Sequence, residues 1–398
     1  MTSFPLFDKY NTKTITLPDH IKKNSLIVAQ SILLSKSVNL NQVKDKVPFV
    51  TGNYDNKASA DYKRLTRYFD TGKIETTDDR ILYNELLENL RTLCWVVLFN
   101  QKKGKGRKFR KKDVKYLLLD GTKWDFGKDH IHLLTLCITI DDVAIPIWWE
   151  DIEKAGHSSQ EERINYLHNA LKSYQLKGLT LIADREYIGY EWFKELKRLS
   201  IHFVIRVKEG IYHTEINQAC GRSWDQMKVK ASGLKKGKKV SKRIKLDGLE
   251  LQYIILKNPR PDAEDELIYL VSDLDSPTQA ARIYAFRWSI EVCFKHLKKN
   301  GFNLEKMSVR GKEKRHLMMV VAVLVYILAI REGLIEEYNL KNKVHHKKDK
   351  YTGYYYRAIS VFRKGISILF RSLGKWKRFT LYLKDIIQDD FYYLIPHV

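Results

Sequence analysis

Cysteine is scarce in this chain and never clustered. The four residues occur singly, without the C-x-x-C spacing of zinc sites and redox pairs, at Cys94, Cys137, Cys220 and Cys293. This distribution argues against a disulfide framework and against a cysteine-based zinc site. We therefore expect a reducing, cytoplasmic setting.

Long apolar runs are also lacking. The longest, Leu317 to Ile330 between Arg315 and Arg331, is shorter than the roughly 18 residues that cross a bilayer. No charged segment followed by an apolar one opens the chain, as a secretory signal would. We expect a buried helix at this run and no membrane partner.

Acidic residues are in deficit. The 398 residues include 71 Lys and Arg against 47 Asp and Glu, which gives a formal net charge of +24. A balance of this size favours a polyanionic partner. Hydrophobic residues make up 44% of the chain, enough to form a core, so we expect a globular protein that binds nucleic acid.

Sequence patterns divide the chain into regions of different class. Residues 1–100 have the spacing of helices, and later runs of Val, Ile and Leu predict a three-strand meander followed by alternating strands and helices. This order predicts an α/β fold, in which helices cover a mixed sheet. The predicted regions are 1–100 (helical, DNA-binding), 101–114 (basic linker), 115–206 (core, first part), 207–275 (β-rich insertion), 276–336 (core, second part) and 337–398 (basic, aromatic and helical).

Two aspartates follow apolar strands in the same way. Asp120 ends the run YLLLD before Gly121, and Asp184 ends LTLIAD before Arg185. One carboxylate at a strand end more often caps a turn than takes part in chemistry. Two carboxylates in matching positions predict a shared site at the edge of the sheet.

A third acid lies in the stretch YAFRWSIEVCFKHLKK, residues 284–299. At about 100° per residue, an α-helix places Tyr284, Arg287, Glu291 and Lys298 within about 60° of one another. Apolar residues recur on the opposite side. We predict a helix that buries one face and exposes these four side chains to water.

Divalent cations explain why three carboxylates occur together in so basic a chain. Hard cations such as Mg²⁺ prefer carboxylate and phosphate oxygens. A pair of them stabilises both the attacking and the leaving oxygen of a phosphoryl displacement. Asp120, Asp184 and Glu291 can hold such a pair, and Arg287 can bind the substrate backbone through its planar fork.

The same residues resemble a known family. The spacing Y-x2-R-x3-E-x6-K, from Tyr284 to Lys298, is similar to the YREK signature of the insertion sequence four family of bacterial DDE transposases. Asp120, in LLLDGT, and Asp184, in LIADREY, stand where that family has its first two metal-binding acids. The resemblance covers about residues 115–330.

Membership of that family would imply a fold and a metal site. The fold is an RNase H-like core interrupted by a β-rich insertion. The catalytic residues are Asp120, Asp184 and Glu291, which would hold two Mg²⁺ ions, with Mn²⁺ as a possible substitute.

The resemblance also implies how DNA is bound and cut. Tyr284, Arg287 and Lys298 would contact phosphates near the cleavage site, and Trp288 matches an aromatic of the family. The reaction would nick one strand, form a hairpin, reopen it, and join the freed 3′-OH to target DNA. The partners would be double-stranded DNA, as terminal inverted repeats and as target, and a second copy of the chain. The setting would be a bacterial cytoplasm, near the nucleoid.

Five further residues are candidates for DNA contact. Trp288, or alternatively Trp224, can stack on an unpaired base, although core packing is the ordinary role of such residues. Lys63, Arg64 and Arg67 in DYKRLTRYFD predict a basic helix suited to phosphate contacts, and a merely solvated helix face is nearly as good an interpretation.

Two other functions fit the composition. One is a domesticated descendant that binds DNA without cutting it, and the other is a metal-dependent nuclease that does not join strands. Retention of every signature residue favours an active transposase over a domesticated descendant. The sequence separates the nuclease from the transposase poorly.

Overall fold

A computed structural model describes most of the chain. The described segments are residues 17–100, 109–126, 129–152, 156–260, 263–340, 346–348, 350, 355–357, 359–372, 376–387 and 389–396. Most of the predicted basic linker, 101–114, lies outside them. The chain forms two compact units, each built from more than one stretch of the sequence. The sheet unit is built mainly on Lys112–Val292, and the helical unit on Lys9–Lys111, Cys293–His346 and Arg357–Val398.

The helices and strands of the described residues have the following bounds. The described helices are α1 (Asp19–Ser35), α2 (Leu40–Val43), α3 (Val47–Thr51), α4 (Ala58–Asp70), α5 (Thr77–Phe99), α6 (Gln160–Leu171), α7 (Tyr190–Arg198), α8 (His213–Gln218), α9 (Trp224–Ser232), α10 (Pro277–Tyr284), α11 (Trp288–Lys295), α12 (Lys312–Leu340), α13 (Val361–Ser372) and α14 (Trp376–Ile386). The described strands are β1 (Val114–Phe126), β2 (Asp129–Ile140), β3 (Val143–Asp151), β4 (Thr180–Ala183), β5 (His202–Val207), β6 (Lys239–Leu246), β7 (Leu249–Lys257), β8 (Leu267–Ser272), β9 (His346–Lys348) and β10 (Tyr355–Arg357).

The sheet unit contains one eight-stranded mixed sheet with the order β3-β2-β1-β4-β5-β8-β7-β6. The predicted meander is confirmed, because β1, β2 and β3 pair antiparallel in succession. Strand β4 then pairs parallel with β1, and β5 parallel with β4. Three antiparallel strands extended by two parallel ones form the predicted RNase H-like core.

Strand β1 is longer than the sequence predicted. Asp120 was expected to end the strand, but β1 continues to Phe126, paired with β2 throughout. Gly121 marks a close approach and not a turn, since a Cβ there would lie 2.6 Å from Nε2 of His132. Asp120 lies instead where β1 passes the end of β4.

Residues 207–275, predicted as a β-rich insertion, contain helices as well as strands. Helices α8 and α9 come first, and β6, β7 and β8 follow. These strands extend the main sheet, because β8 pairs antiparallel with β5. Helix α10 then packs on β5, β7 and β8, so the chain returns to the core directly after the third strand.

Helix α12 forms the centre of the helical unit. It packs against α1, α5 and α13. By length and composition it is the one described helix apolar enough to cross a membrane, and 89% of its most apolar window is buried inside the protein. The predicted buried helix at Leu317 to Ile330 is thereby confirmed.

Candidate active site

The two predicted aspartates occupy equivalent positions on neighbouring strands. The parallel register pairs Leu119 with Ala183, so Asp120 and Asp184 follow at the same level. Each carboxylate accepts a hydrogen bond of 2.8 Å from the backbone N–H of the next residue, Gly121 or Arg185. The shared local geometry directs both acids to the same end of the β1–β4 pair.

The stretch that carries the third acid is not the regular α-helix that its pattern predicted. After α10 the chain forms a 3₁₀ turn over Ala285–Arg287, then α11, and then a π-helical segment over His296–Gly301. A 3₁₀ turn has about 3.0 residues per turn and a π-helix is wider than an α-helix. The predicted spacing of side chains around one face therefore does not hold.

Tyr284 does not lie on the exposed face where the helical spacing predicted it. It was predicted to face water, but it is only 7% exposed. Burial raises its pKa to about 12, and nearby Asp184 adds to the rise, whereas the guanidinium groups of Arg287 and Arg206 oppose it. The prediction that Tyr284 faces water is therefore wrong.

Arg287 lies among all three predicted acids. Its Nη1 is 3.9 Å from Oδ2 of Asp120 and 3.7 Å from Oδ2 of Asp184. Its Nη2 donates a hydrogen bond to Oε1 of Glu291, one helical turn later. The Arg287 side chain is 17% exposed and connects acids on β1, directly after β4 and on α11.

The carboxyl group of Asp120 has a raised pKa. Burial raises its pKa to about 7, and the carboxylates of Glu186 and Asp184 add to the rise. The Gly121 N–H and the Arg287 guanidinium act in the opposite direction. Perturbation of this kind, by burial and specific charges, is typical of functional sites.

The three carboxylates are ligands of the type that a hard divalent cation prefers, but they are too far apart in this structure to bind one ion together. Within the described segments, no three acidic, histidine or cysteine side chains lie close enough together to hold a metal ion. The carboxylates of Asp120, Asp184 and Glu291 are arranged around a guanidinium instead. Oxygen ligands of this type are those that Mg²⁺ prefers.

The two tryptophans differ in their surroundings. Trp288 is 55% exposed, with the Arg260 guanidinium 5.7 Å from its ring centre. Trp224 is half-buried, and its Nε1 donates a hydrogen bond to the hydroxyl of Tyr253 at 3.4 Å. Lys228 lies over the Trp224 ring. Trp288 therefore offers the more open stacking surface.

The remaining predicted residues belong to the helical unit. Lys298 lies in the π-helical segment, with its Nζ 2.8 Å from Oε1 of Glu305. Helix α4 presents Lys63 and Arg67 to solvent, with Arg64 half-buried, and packs Leu65, Tyr68 and Phe69 on its inner side. The solvent-facing surface of α4 is thus basic.

Two charged residues near the aspartates were missed by sequence reasoning. Arg206 follows Ile205, which pairs with Ala183, so it lies level with Asp184 on the next strand. Its guanidinium bonds to Asp265. Glu186, in the run DREY, accepts a hydrogen bond from His157 and acts on the pKa of Asp120.

The family comparison agrees with this geometry. The sequence model described as "Transposase DDE domain" matches residues 99–328, more than half of the chain and a range that includes all three acids. The chain belongs to the transposase DDE domain family. This DDE transposase has no significant match among curated proteins. Among solved structures it is similar to the piggyBac transposase in a synaptic complex with hairpin DNA, at a TM-score of 0.47 and 11% identity, over 100% of this chain and 79% of that one.

Proposed function

We propose that this transposase cuts the ends of its own insertion sequence and joins them to target DNA. The observation that carries the proposal is the meeting of Asp120, Asp184 and Glu291 around Arg287 at one edge of an RNase H-like sheet. The YREK spacing supports placement in the insertion sequence four family of bacterial elements. The net charge of +24 supports DNA as the substrate.

Asp120, Asp184 and Glu291 would hold the divalent cations, Mg²⁺ or Mn²⁺. Bound cations supply the positive charge that stabilises the attacking and leaving oxygens during phosphoryl transfer. The protein contributes position: adjacent strands fix the two aspartates, and α11 brings Glu291 to them. A fixed geometry of this kind reduces the reorganisation needed during the reaction.

DNA would be held by three residues of the 284–299 stretch that are exposed or half-buried. Arg287 has the planar fork that binds two phosphate oxygens at once. Trp288 is open for stacking on a displaced base, and Lys298 is a further phosphate-binding candidate. Because Tyr284 is buried, we assign it to packing beside Asp184 and no longer to direct phosphate contact.

The proposed reaction is cut-and-paste transposition through a hairpin on the element end. Two copies of the chain on DNA would bring the two terminal repeats together. Two inverted repeats are equivalent DNA ends and call for two equivalent sites, so a homodimer is the simplest assembly. The proposed location is the bacterial cytoplasm, at the nucleoid.

Paired nicking and gel-shift assays with element-end DNA test this function. We expect Asp120→Asn, Asp184→Asn and Glu291→Gln each to reduce nicking in Mg²⁺ by more than about 100-fold, because each loses a metal ligand. In EDTA, where no protein is loaded with metal, DNA binding by the three variants should stay close to wild type. Asp125→Asn is the matched control, since Asp125 lies on the same strand as Asp120, exposed and paired with His130.

The same assays can also disprove the role of each acid. Near-wild-type nicking by any of the three variants would remove that residue from the active site. Equal loss of nicking in the Asp125→Asn control would indicate that disturbance of β1, and not metal ligation, explains the Asp120 result.

A further inference from the structure

The guanidinium of Arg287 occupies the centre of a site in which cations are expected to bind. One nitrogen, Nη1, lies within 4 Å of carboxylate oxygens of both Asp120 and Asp184, and Nη2 bonds to Glu291. Arginine stays protonated at all ordinary pH values. Its single positive charge therefore offsets part of the repulsion among the three acids.

A divalent cation bound to all three carboxylates would compete with this position of Arg287. Cations that bind the three carboxylates must approach the same oxygens that the guanidinium now contacts. At such distances in a partly buried site, repulsion between like charges is strong. A long arginine side chain can relieve the repulsion by rotating away, as its stem has several free torsions.

We propose that Arg287 is the internal counter-ion of the metal-free site and that divalent cations displace it. The displaced guanidinium then becomes free to bind a DNA phosphate. Metal loading and tight DNA binding are thereby coupled through one residue. This inference rests on the proposed function, because it takes the three acids to be metal ligands.

The role requires the shape of arginine as well as its charge. The planar fork contacts acids on three elements at once, two through one nitrogen and the third through the other. A lysine ammonium is a single point charge and cannot span the same groups. Arg287→Lys thus keeps the charge and loses the bridge, whereas Arg287→Gln loses both.

The first test measures Mn²⁺ binding without DNA, by the loss of the free Mn²⁺ signal in electron paramagnetic resonance. Removing a competing cation should make Arg287→Gln bind Mn²⁺ about tenfold more tightly than wild type or better, a change of about 1.4 kcal/mol. In EDTA the same variant should melt at a lower temperature than wild type. In Mn²⁺ the two melting temperatures should be equal. The Mn²⁺ affinity of Arg287→Lys should lie between those of wild type and Arg287→Gln.

Arg260→Gln is the matched control, since Arg260 lies over the neighbouring Trp288 ring. Its Mn²⁺ affinity should equal that of wild type. A purely structural role for Arg287 predicts a lower melting temperature with no gain in affinity. Unchanged or weaker Mn²⁺ binding by both Arg287 variants would overturn the proposal, and so would a failure of Mn²⁺ to bind to any of the proteins.

The second test measures DNA affinity in EDTA and in Ca²⁺, which replaces Mg²⁺ to limit cleavage. Arg287→Gln should weaken binding in Ca²⁺ and have little effect in EDTA. Equal weakening in both conditions would contradict the coupling. Neither test uses strand cleavage, so the inference can be judged separately from the proposed transposase reaction.

Discussion

Asp120 and Asp184 lie side by side because the residues before them, Leu119 and Ala183, are paired in a parallel register. Each aspartate then accepts a hydrogen bond from its own next backbone N–H. The backbone of the sheet, and not a flexible loop, therefore fixes the spacing of the two acids. Glu291 reaches the pair from α11, with Arg287 between them.

The first prediction concerns the two tryptophans and the proposed hairpin. Trp288→Ala should leave the first nick nearly normal and deplete the hairpin, because a hairpin requires an unstacked base to find an aromatic surface. Trp224→Ala should have a smaller effect, since that ring is half-buried and bonded to Tyr253. Denaturing gels with each strand labelled in turn give the measurement.

Abasic DNA provides the control for that result. Removing the displaced base should restore part of the hairpin yield of Trp288→Ala. Double-strand breaks without a slowly migrating hairpin at any time point would refute the hairpin route.

The basic surface of α4 gives the second prediction. Lys63→Ala and Arg67→Ala should each weaken DNA binding about equally on all sequences and reduce the log–log salt slope by about 1. For roughly six to ten phosphate contacts, the wild-type slope should be on the order of −5 to −9. Variants with an unchanged slope would assign these residues to an ordinary solvated surface.

The third prediction follows from His296, which is buried and stacked on Phe362 with ring centres 4.6 Å apart. Burial lowers its pKa to about 4, and Arg363 and Lys295 add to the effect. Between pH 6.5 and about 4 the unfolded chain takes up a proton that the folded chain does not. The stability that this residue contributes is present above pH 6.5 and is lost as the pH falls through that window.

Urea unfolding at several pH values measures this effect. His296→Phe keeps a stacking ring without the titration, so it should reduce the loss of stability between pH 6.5 and 4 by up to about 3 kcal/mol. The same pH slope in the variant and in wild type would show that other groups cause the acid sensitivity.

The fourth prediction concerns a close approach between α12 and α13. A Cβ on Gly365 of α13 would overlap the carbonyl oxygen of Ala329 on α12. Gly365→Ala should therefore destabilise the protein by at least about 2 kcal/mol. Gly233→Ala is the control, because its nearest contact is an ordinary 3.8 Å. Equal melting temperatures for the two variants would contradict the contact.

Apolar patterning predicted the strands and the buried helix because those features depend on short-range periodicity. It also placed Asp120 and Asp184 in the same local context, and the structure brings these two residues side by side. The prediction that Tyr284 faces water was wrong, because it assumed 100° per residue throughout and the chain forms a 3₁₀ turn at Ala285–Arg287. Arg206 was missed for another reason: its place beside Asp184 depends on cross-strand register, which no local pattern contains.

Strand joining is the measurement that tests the central claim most directly. A pre-nicked element end with a free 3′-OH is incubated with supercoiled target DNA, the protein and Mg²⁺. We expect wild type to produce joined DNA, and Asp184→Asn or an end lacking the 3′-OH to produce none. Nicking without joining would indicate a nuclease, and binding with neither reaction would indicate a DNA-binding descendant; either result would contradict an active transposase.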